Sequence, residues 1–209
     1  KKFMPLVHRE DQAATARAME ALSLPPYSVY LEQRAMTKNG WKWLGWMDTA
    51  ILDRNGNVKE IVGVGRDISE QKEHIERFRT VMDSLDALVY VADMKTYEVL
   101  FVNKYGMNVW GDIKGKICWQ TLQNDQTGPC PFCTNDRLLD SDLNPVDPVV
   151  WEIQNTTNHE WYECRDQAIQ WMDGRMVRME IASNITQRKQ AEEKRRKLES
   201  QLRQSHKME

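Results

Sequence analysis

The sequence of 209 residues contains no apolar run close to the roughly 18–20 residues that a membrane-spanning helix needs. Its formal net charge of −2 gives no excess of one sign, which argues against a nucleic-acid or anionic-membrane partner. It has only 4 cysteines, too few for a secreted disulfide scaffold and typical of a reducing compartment. We therefore expect a soluble, cytoplasmic stretch without direct membrane contact, although a longer parent protein can still be membrane-anchored.

Patterns that indicate catalysis are missing as well. The sequence contains no recognisable nucleophile–base pair and no glycine-rich phosphate loop. His8 and Asp11 in "VHRED" resemble an acid–base pair, but a helix entry with Asp11 as its cap explains them more simply. We therefore predict no catalytic residue and no enzyme activity in this part of the protein.

What the sequence does contain is an internal repeat. The stretch "WKWLGWMDTAILDRNGNVKEIVGVGRDISEQK" (41–72) is matched by "WYECRDQAIQWMDGRMVRMEIASNITQRKQ" (161–190). In each copy a tryptophan, Trp43 or Trp161, stands the same distance before a turn glycine, and a strand-like run follows. Two alternating runs joined by a polar turn are typical of a β-hairpin. The sequence therefore predicts one hairpin in each copy of a repeated unit.

Each copy ends in three similar residues, Asp67-Ile-Ser in the first and Asn184-Ile-Thr in the second, which also indicate the start of a helix. Asp67 with Glu70, and Asn184 with Gln187, have the spacing of a capping box. In that motif the first side chain accepts a hydrogen bond from an early helix N–H, and the second reaches back to the cap. We therefore expect a helix at the end of each copy, and we identify these four residues as caps of the helices through which a signal leaves.

The helix after the first copy carries apolar residues at a 3-4-3 spacing. Such a seam allows two parallel helices to pair, as in a coiled coil. It predicts a homodimer held together by these helices. The seam residues are Ile75, Phe78, Met82 and Leu85.

The repeated motifs resemble the C-terminal half of PAS sensor domains. The matching pieces include Glu32-x-Arg34, "NGWKW" (39–43) and the closing "GVGRDIS" (63–69). The second copy is more complete. It opens with "LDALVYVADMKTYEVLFVNKYGMNVWG" (85–111), which is similar to the two strands and the helix entry, here at Asn103, with which PAS domains begin.

This resemblance implies an α+β fold, in which a five-stranded antiparallel PAS sheet carries helices on one face. The second unit is long enough for the whole sheet. The first lacks the opening strands and early helices, so we interpret the sequence as a fragment of a longer protein. The resemblance divides it into the C-terminal part of a first PAS domain (1–69), a connecting helix (70–85), a second PAS domain (86–186) and an output coiled-coil helix (187–209).

The final residues, "LESQLRQSHKME" (198–209), resemble the helix that leads into the dimerisation domain of bacterial hybrid-type sensor histidine kinases. In that family the phospho-accepting histidine lies further downstream, so His206 is not that residue. The resemblance implies the sensory region of a two-component phosphorelay protein, whose partners are its own kinase domain and a response regulator. A diguanylate cyclase sensor, a cysteine-ligated redox module and a generic polar helix are the alternatives.

Three of the cysteines lie in "GKICWQTLQNDQTGPCPFCTND" (115–136). This segment belongs to the region around 103–136, where cofactor-binding PAS domains build their pocket. Cys118 with the following Leu-Gln resembles a flavin photoreceptor motif, but its spacing differs. Cys130-Pro-Phe-Cys133 resembles a redox pair, but the βαβ setting is missing. A structural or thiol-redox loop and a metal site remain as alternatives.

A metal or iron–sulfur site is the second alternative for these cysteines. The spacing is similar to that of iron–sulfur PAS kinases, with Gly115 in place of their first ligand. No histidine lies between the predicted helix entry and the 149–157 strand, so His-ligated haem is not expected. Flavin is not expected either, because the spacing of the cysteine motif differs and the later strands offer no matching Asn/Gln set. The cofactor stays unknown, and we expect none. The metal ligands would be Cys118, Cys130, Cys133 and Cys164.

Overall fold

The computed structural model describes residues 3–205. The chain forms two compact units, residues 1–78 and 79–209. Within the described residues, no helix is both long and apolar enough to cross a membrane. His206, which the sequence analysis distinguishes from the phospho-accepting histidine, lies outside the described residues.

In the first unit, one α-helix precedes a three-stranded antiparallel sheet, and a longer helix begins after the sheet. The strands lie in the order in which they occur in the chain, joined by turns at Gly40 and Gly56, whose φ angles of 92° and 81° favour glycine. A predicted hairpin is therefore present here. The elements are α1 (Gln12–Ala21), β1 (Ser28–Thr37), β2 (Gly40–Leu52) and β3 (Val58–Asp67).

Asp11 precedes α1, but its side chain does not cap the helix as predicted. Its carboxylate instead accepts hydrogen bonds from the backbone N–H, Nε and Nη2 of Arg34 on β1, at 2.8–2.9 Å. Charge-assisted bonds to a guanidinium are stronger than a bond to a neutral backbone N–H. The carboxylate therefore ties the helix entry to the sheet.

The second unit is built around a five-stranded antiparallel sheet in the order β5-β4-β8-β7-β6. The first strand of this sheet along the chain, β4, is buried along its whole length and pairs with β8. The α+β class with antiparallel sheets is confirmed. The strands are β4 (Leu88–Asp93), β5 (Val99–Val102), β6 (Val149–Gln154), β7 (Trp161–Gln170) and β8 (Met176–Asn184).

The helices of the remaining chain differ widely in length. Two are long and mostly exposed, and each follows directly after the last strand of a unit. Two are short and belong to the connection between β5 and β6. They are α2 (Ser69–Asp83), α3 (Lys104–Trp110), α4 (Cys118–Thr121) and α5 (Thr186–Ser205), besides the 3-10 turns Met4–Leu6 and Asn135–Arg137.

Asn103 starts α3, as the sequence predicts. Its Oδ1 accepts from Gly106 N–H at 3.1 Å and from Val89 N–H at 3.0 Å. Its Nδ2 donates to the carbonyl oxygens of Met82 and Ala87 at 3.0 and 2.9 Å. The side chain is fully buried, and both acceptor positions of its oxygen and both N–H groups of its amide make hydrogen bonds. Asn103 thereby joins the helix entry to the strand that opens the sheet.

The starts of α2 and α5 differ from the predicted capping boxes. Both helices begin two residues after the predicted caps Asp67 and Asn184, at Ser69 and Thr186. Oδ1 of each predicted cap accepts from the N–H of that first helical residue, at 2.9 Å in both cases. Asp67 and Asn184 are still the last residues of their strands, so the turn into the helix comes later than the motif requires.

Glu70 and Gln187 consequently occupy the second helical position, whereas a capping box needs its acidic or amide residue at the third. Glu70 lies within 3.9 Å of His74 on the next helical turn. The predicted reciprocal caps are therefore wrong in detail. In each case only the first half of the predicted capping box is present, as a bond from the side chain at the end of the preceding strand.

The predicted seam also ends earlier than expected. Helix α2 stops at Asp83, so Leu85 lies beyond it and cannot extend the 3-4-3 spacing as a helical residue. Ile75 and Val81 within the helix are 50% and 53% exposed. An exposed apolar stripe is present on α2, but it is shorter than the sequence predicts.

Candidate functional site

A small cavity lies against the sheet of the second unit. Its volume is about 50 Å³. Since a water molecule needs about 10–15 Å³ by the same measure, about four water-sized groups fit inside. The predicted region 103–136 supplies part of its wall, and the strands supply the rest. The aromatic wall residues are Tyr90, Tyr97, Trp110, Trp119, Phe132, Trp151 and Tyr162.

The register of the strands sets the apolar part of the cavity floor. Ala182 on β8 is paired with Leu88 on β4 and with Cys164 on β7, and Cys164 is paired in turn with Trp151 on β6. All four residues line the cavity. One cross-strand row therefore provides a continuous apolar surface.

The neighbouring row is polar. Glu180 on β8 is paired with Tyr90 on β4 and Asp166 on β7. Arg178 lies two residues before Glu180, on the same face of β8 because side chains alternate along a strand. These four side chains are buried, with exposures of 7% or less. The polar row thus places one guanidinium and two carboxyl groups beside the apolar one.

Arg178 is held by bonds from elements that are distant in sequence. Its Nη2 donates to the hydroxyl of Tyr90 at 2.6 Å, and its Nη1 donates to Oδ1 of Asn135 at 3.2 Å. Its Nε lies 3.8 Å from Oε2 of Glu180, which is beyond hydrogen-bonding distance. Nε therefore has no hydrogen-bond acceptor among the described residues.

Glu180 and Asp166 form a buried carboxyl pair. Oδ2 of Asp166 accepts from Oγ1 of Thr134 at 2.5 Å and from Nε1 of Trp151 at 2.8 Å. Its Oδ1 has no donor in the described part of the chain. Burial, and then the neighbouring Asp166 carboxylate, raise the pKa of Glu180 to about 8. Glu180 therefore keeps its proton at neutral pH, and its side chain is in hydrogen-bonding contact with Asp166.

The structure brings all four cysteines to this cavity. Cys118 is the first residue of α4, and Cys164 comes from β7. Cys130 and Cys133 form a turn in which Cys133 N–H donates to the Cys130 carbonyl oxygen at 2.9 Å. All are free thiols. The three-cysteine loop and the distant fourth cysteine therefore share one site, as the metal hypothesis requires.

The detailed geometry does not fit a metal ion. Among the described residues, no three His, Cys, Asp or Glu side chains are arranged to hold one. Nη1 and Nη2 of Arg178 lie 3.4 Å from Cys133 Sγ and 3.8 Å from Cys118 Sγ, so a cation already stands beside these sulfurs. Burial raises the pKa of Cys118 and Cys164, and that of Cys130 to about 11, whereas ligation needs thiolates.

The strands of the cavity also hold the following helix. Ile185 N–H donates to the Trp161 carbonyl at 2.7 Å, and Trp161 N–H donates to Thr186 Oγ1 at 2.9 Å. One helical turn later, Lys189 lies over the Trp161 ring at 5.2 Å and pairs with Glu152 on β6. We call these contacts the exit junction. It fixes the first turn of α5 to the edge of the sheet.

The first unit has an equivalent exit junction. Ile68 N–H donates to the Trp43 carbonyl at 2.9 Å, and Trp43 N–H donates to Ser69 Oγ at 3.0 Å. Lys72 lies over the Trp43 ring at 5.0 Å and pairs with Glu32 at 2.5 Å. Equivalent atoms make equivalent contacts in the two units. The sequence repeat therefore corresponds to a repeated set of contacts that hold the start of a helix against its sheet.

Family comparison agrees with the geometry of the second unit. Residues 76–143 match the model of the PAS domain. The second unit is therefore similar to a PAS domain over these residues, and we use that name for it. No curated protein sequence shows significant similarity to the chain.

Solved structures that are similar to the chain include several sensory proteins. A sensory box histidine kinase/response regulator from Burkholderia thailandensis is 22% identical over 36% of this chain and 58% of its own, with a TM-score of 0.33. The PAS domain of Bordetella pertussis BvgS is 16% identical over 64% and 98%, with a TM-score of 0.36. The PAS domain of an HTR-like protein from Haloarcula marismortui is 11% identical over 55% and 99%, with a TM-score of 0.37. The chain thus spans little more than half of the kinase structure.

The polar row of the PAS domain was missed by the sequence analysis. Arg178 and Glu180 stand two apart in a strand, a pattern that usually indicates a solvent-facing side. Both residues are buried because the segment that contains Cys118, Cys133 and Asn135 covers this face of β8. The available signal was the small Ala182 on the same face, which leaves room for a cavity.

Proposed function

We propose that the PAS domain of the second unit is a signal-input domain of a two-component sensor histidine kinase. One observation carries this proposal: the strands that line the cavity also hold the exit helix. Arg178, Glu180 and Ala182 face the cavity from β8, and that strand leads through Ile185 into Thr186, the first residue of α5. The residues of β8 that line the cavity are therefore separated from the exit junction by only a few residues of the chain.

The duplicated exit junction supports a tandem arrangement, in which residues 1–69 are the C-terminal part of a first PAS domain. Its sheet has three strands, and β3 is exposed along its whole length. The equivalent strand of the second unit, β8, has neighbours on both sides. On this proposal, 70–85 connects the two domains, and 187–209 is the output segment, in which α5 extends to Ser205 and the rest lies outside the described residues.

We further propose that the parent protein is a homodimer that signals through its helices. Apolar side chains remain exposed on both long helices, including Ile75 on α2 and Leu198 and Leu202 on α5, which are 50%, 52% and 60% exposed. Pairing of such side chains with a second copy would remove them from water. The downstream partners are then the kinase domain of the same chain and a response regulator, with the cytoplasm as the location.

The exit junction provides the test of this proposal. Thr186→Val removes the acceptor of the Trp161 N–H and should loosen the first turn of α5 by about 1 kcal/mol. We expect the autophosphorylation rate of the parent kinase to change by at least about twofold, whereas Thr186→Ser keeps the hydroxyl and the wild-type rate. An unchanged rate in Thr186→Val would contradict the role of the junction. A parent that synthesises cyclic diguanylate in place of phosphohistidine would favour the cyclase alternative.

A further inference from the structure

Cys130 and Cys133 are the more accessible thiols of the cavity. All four cysteines are free thiols that line it, but Cys118 and Cys164 are buried, whereas Cys130 and Cys133 are half-buried. The susceptibility of a cysteine to oxidation follows the exposure of its sulfur as well as its thiolate character. A small reagent that enters from solvent therefore reaches this pair more readily than the other two cysteines.

The turn between the two cysteines places them at the separation that a disulfide needs. Cys133 N–H donates to the Cys130 carbonyl oxygen at 2.9 Å, which closes a four-residue turn over Pro131 and Phe132. The ends of such a turn have Cα atoms less than about 7 Å apart. Disulfides join Cα atoms about 4.4–6.8 Å apart. The backbone of this turn therefore permits a bond between Cys130 and Cys133 without a large rearrangement.

The charges around the cysteines give the two sulfurs different roles. Arg178 Nη1 lies 3.4 Å from Cys133 Sγ, and a guanidinium beside a sulfur stabilises the thiolate, which is the nucleophilic form. Burial, and then the nearby Cys118 and Cys133 sulfurs, raise the pKa of Cys130 to about 11, so Cys130 remains a thiol. Burial also raises the pKa of Cys118, the other sulfur near Arg178. Cys133 is therefore placed to attack an oxidant, and Cys130 to resolve the product.

The residues that follow the pair contact the polar row. Thr134 Oγ1 donates to Asp166 Oδ2 at 2.5 Å, and Asn135 Oδ1 accepts from Arg178 Nη1 at 3.2 Å. Together with Cys133, three consecutive residues thus contact side chains of β7 and β8. A covalent bond that draws Cys133 towards Cys130 acts directly on these contacts.

We propose that Cys130 and Cys133 form a redox-active pair that hydrogen peroxide oxidises to a disulfide, and that this oxidation is the signal received by the PAS domain. The Cys133 thiolate attacks one peroxide oxygen, and the O–O bond breaks. The leaving hydroxide takes up a proton to form water, and Cys133 becomes a sulfenic acid. The Cys130 sulfur then attacks the Cys133 sulfur, the S–O bond breaks, and the hydroxyl group leaves as water with the Cys130 proton.

The two steps balance and are reversible. Two thiols lose two electrons, and one peroxide molecule gains them and becomes two water molecules. A dithiol reductant restores both thiols by exchange through a mixed disulfide. In a reducing cytoplasm such disulfides are usually transient and redox-sensing. The second half of the proposal rests on the sensory function argued above, because it names the reagent that this domain would detect.

Peptide mapping of the 209-residue chain identifies the bond. Cleavage after Lys and Arg and before Asp places Cys118 in the peptide 117–124, the pair in 125–135 and Cys164 in 147–165. After treatment with hydrogen peroxide and alkylation of the remaining thiols, 125–135 should lack two hydrogen atoms and carry no alkyl group. This change should occur at least about tenfold faster than oxidation of Cys118 or Cys164, and dithiothreitol should reverse it.

Serine variants separate the two roles. Cys130→Ser removes the resolving thiol, so Cys133 should stop at the sulfenic acid, which dimedone labels. Cys133→Ser removes the attacking thiol, and Cys130 should then react at least about tenfold more slowly than the wild-type pair. Cys164→Ser is the matched control and should leave formation of the Cys130–Cys133 bond at the wild-type rate.

Two results would overturn the redox pair. These are a disulfide that includes Cys118, and oxidation of Cys130 and Cys133 that is no faster than that of Cys118 and Cys164. Neither measurement needs a kinase domain, and neither outcome would affect the exit junction, which Thr186→Val tests separately.

The proposed parent kinase tests whether the disulfide is a signal. Peroxide should change its autophosphorylation rate at least about twofold in the wild type and in Cys164→Ser, but not in Cys133→Ser. A disulfide that forms in the full protein without changing this rate would show that the signal half of the proposal is wrong.

Discussion

Replacing Arg178 by methionine should lower the free energy of unfolding of the PAS domain by about 3–5 kcal/mol, because removing one partner of a buried charge cluster leaves the other charge uncompensated. The guanidinium is 6% exposed, and it bonds to Tyr90 and Asn135. Its loss leaves the Glu180–Asp166 pair without a cation in the interior. Denaturant unfolding, followed by the fluorescence of tryptophans such as Trp119 and Trp151 around the cavity, measures the effect.

Arg165→Met is the matched control for this experiment. Arg165 lies on the same sheet next to Asp166, but its side chain is exposed, so its replacement should change stability by less than about 0.5 kcal/mol. A loss below about 1 kcal/mol in Arg178→Met would show that the interior tolerates the carboxyl pair alone. The assignment of Arg178 as its counter-charge would then be wrong.

Stability of the PAS domain should fall as the pH rises from about 5 to about 8. The pKa of Glu180 is raised from its ordinary value of 4.5 to about 8 by burial and by Asp166. Between these values the folded state holds a proton that the unfolded state has released. The unfolded state binds fewer protons, so the free energy of unfolding decreases with pH in this window. The stabilisation is complete below the unfolded pKa and is lost once the pH passes the folded value.

Glu180→Gln isolates this contribution. Glutamine keeps the size of the side chain and can donate to Asp166 as the protonated carboxyl does, but it does not titrate. The difference in unfolding free energy between wild type and Glu180→Gln should therefore favour the variant increasingly from pH 5 to pH 8. A difference that stays constant across this range would mean that Glu180 is already ionised at neutral pH.

Local features of the fold were predictable because each depends on neighbouring residues. The turn glycines Gly56 and Gly174 and the helix entry at Asn103 are present where the sequence places them. The repeated Trp and Ile–hydroxyl elements proved to be in contact with each other, although the sequence showed only their order. The exact starts of α2 and α5 were displaced because strand pairing continues to Asp67 and Asn184.

The polar centre of the site was not predictable in this way. Arg178 and Tyr90 are 88 residues apart in the chain, and their contact depends on β4 and β8 being neighbours. Alternation along β8 shows which residues share a face, but not that a charged face is turned inward. The four cysteines predicted to share one site do line the cavity. Their spacing in the sequence could not reveal the Arg178 guanidinium that lies beside Cys118 and Cys133.

The central claim is that the cavity of the PAS domain controls the exit helix. The most direct measurement is the autophosphorylation rate of the proposed parent kinase carrying Ala182→Leu, which fills the cavity, alone and together with Thr186→Val. The account predicts that Ala182→Leu changes the rate at least about twofold and that its effect disappears when Thr186→Val has already opened the exit junction, since coupled sites are not additive. A folded Ala182→Leu protein with the wild-type rate, or an effect that simply adds to that of Thr186→Val, would contradict it.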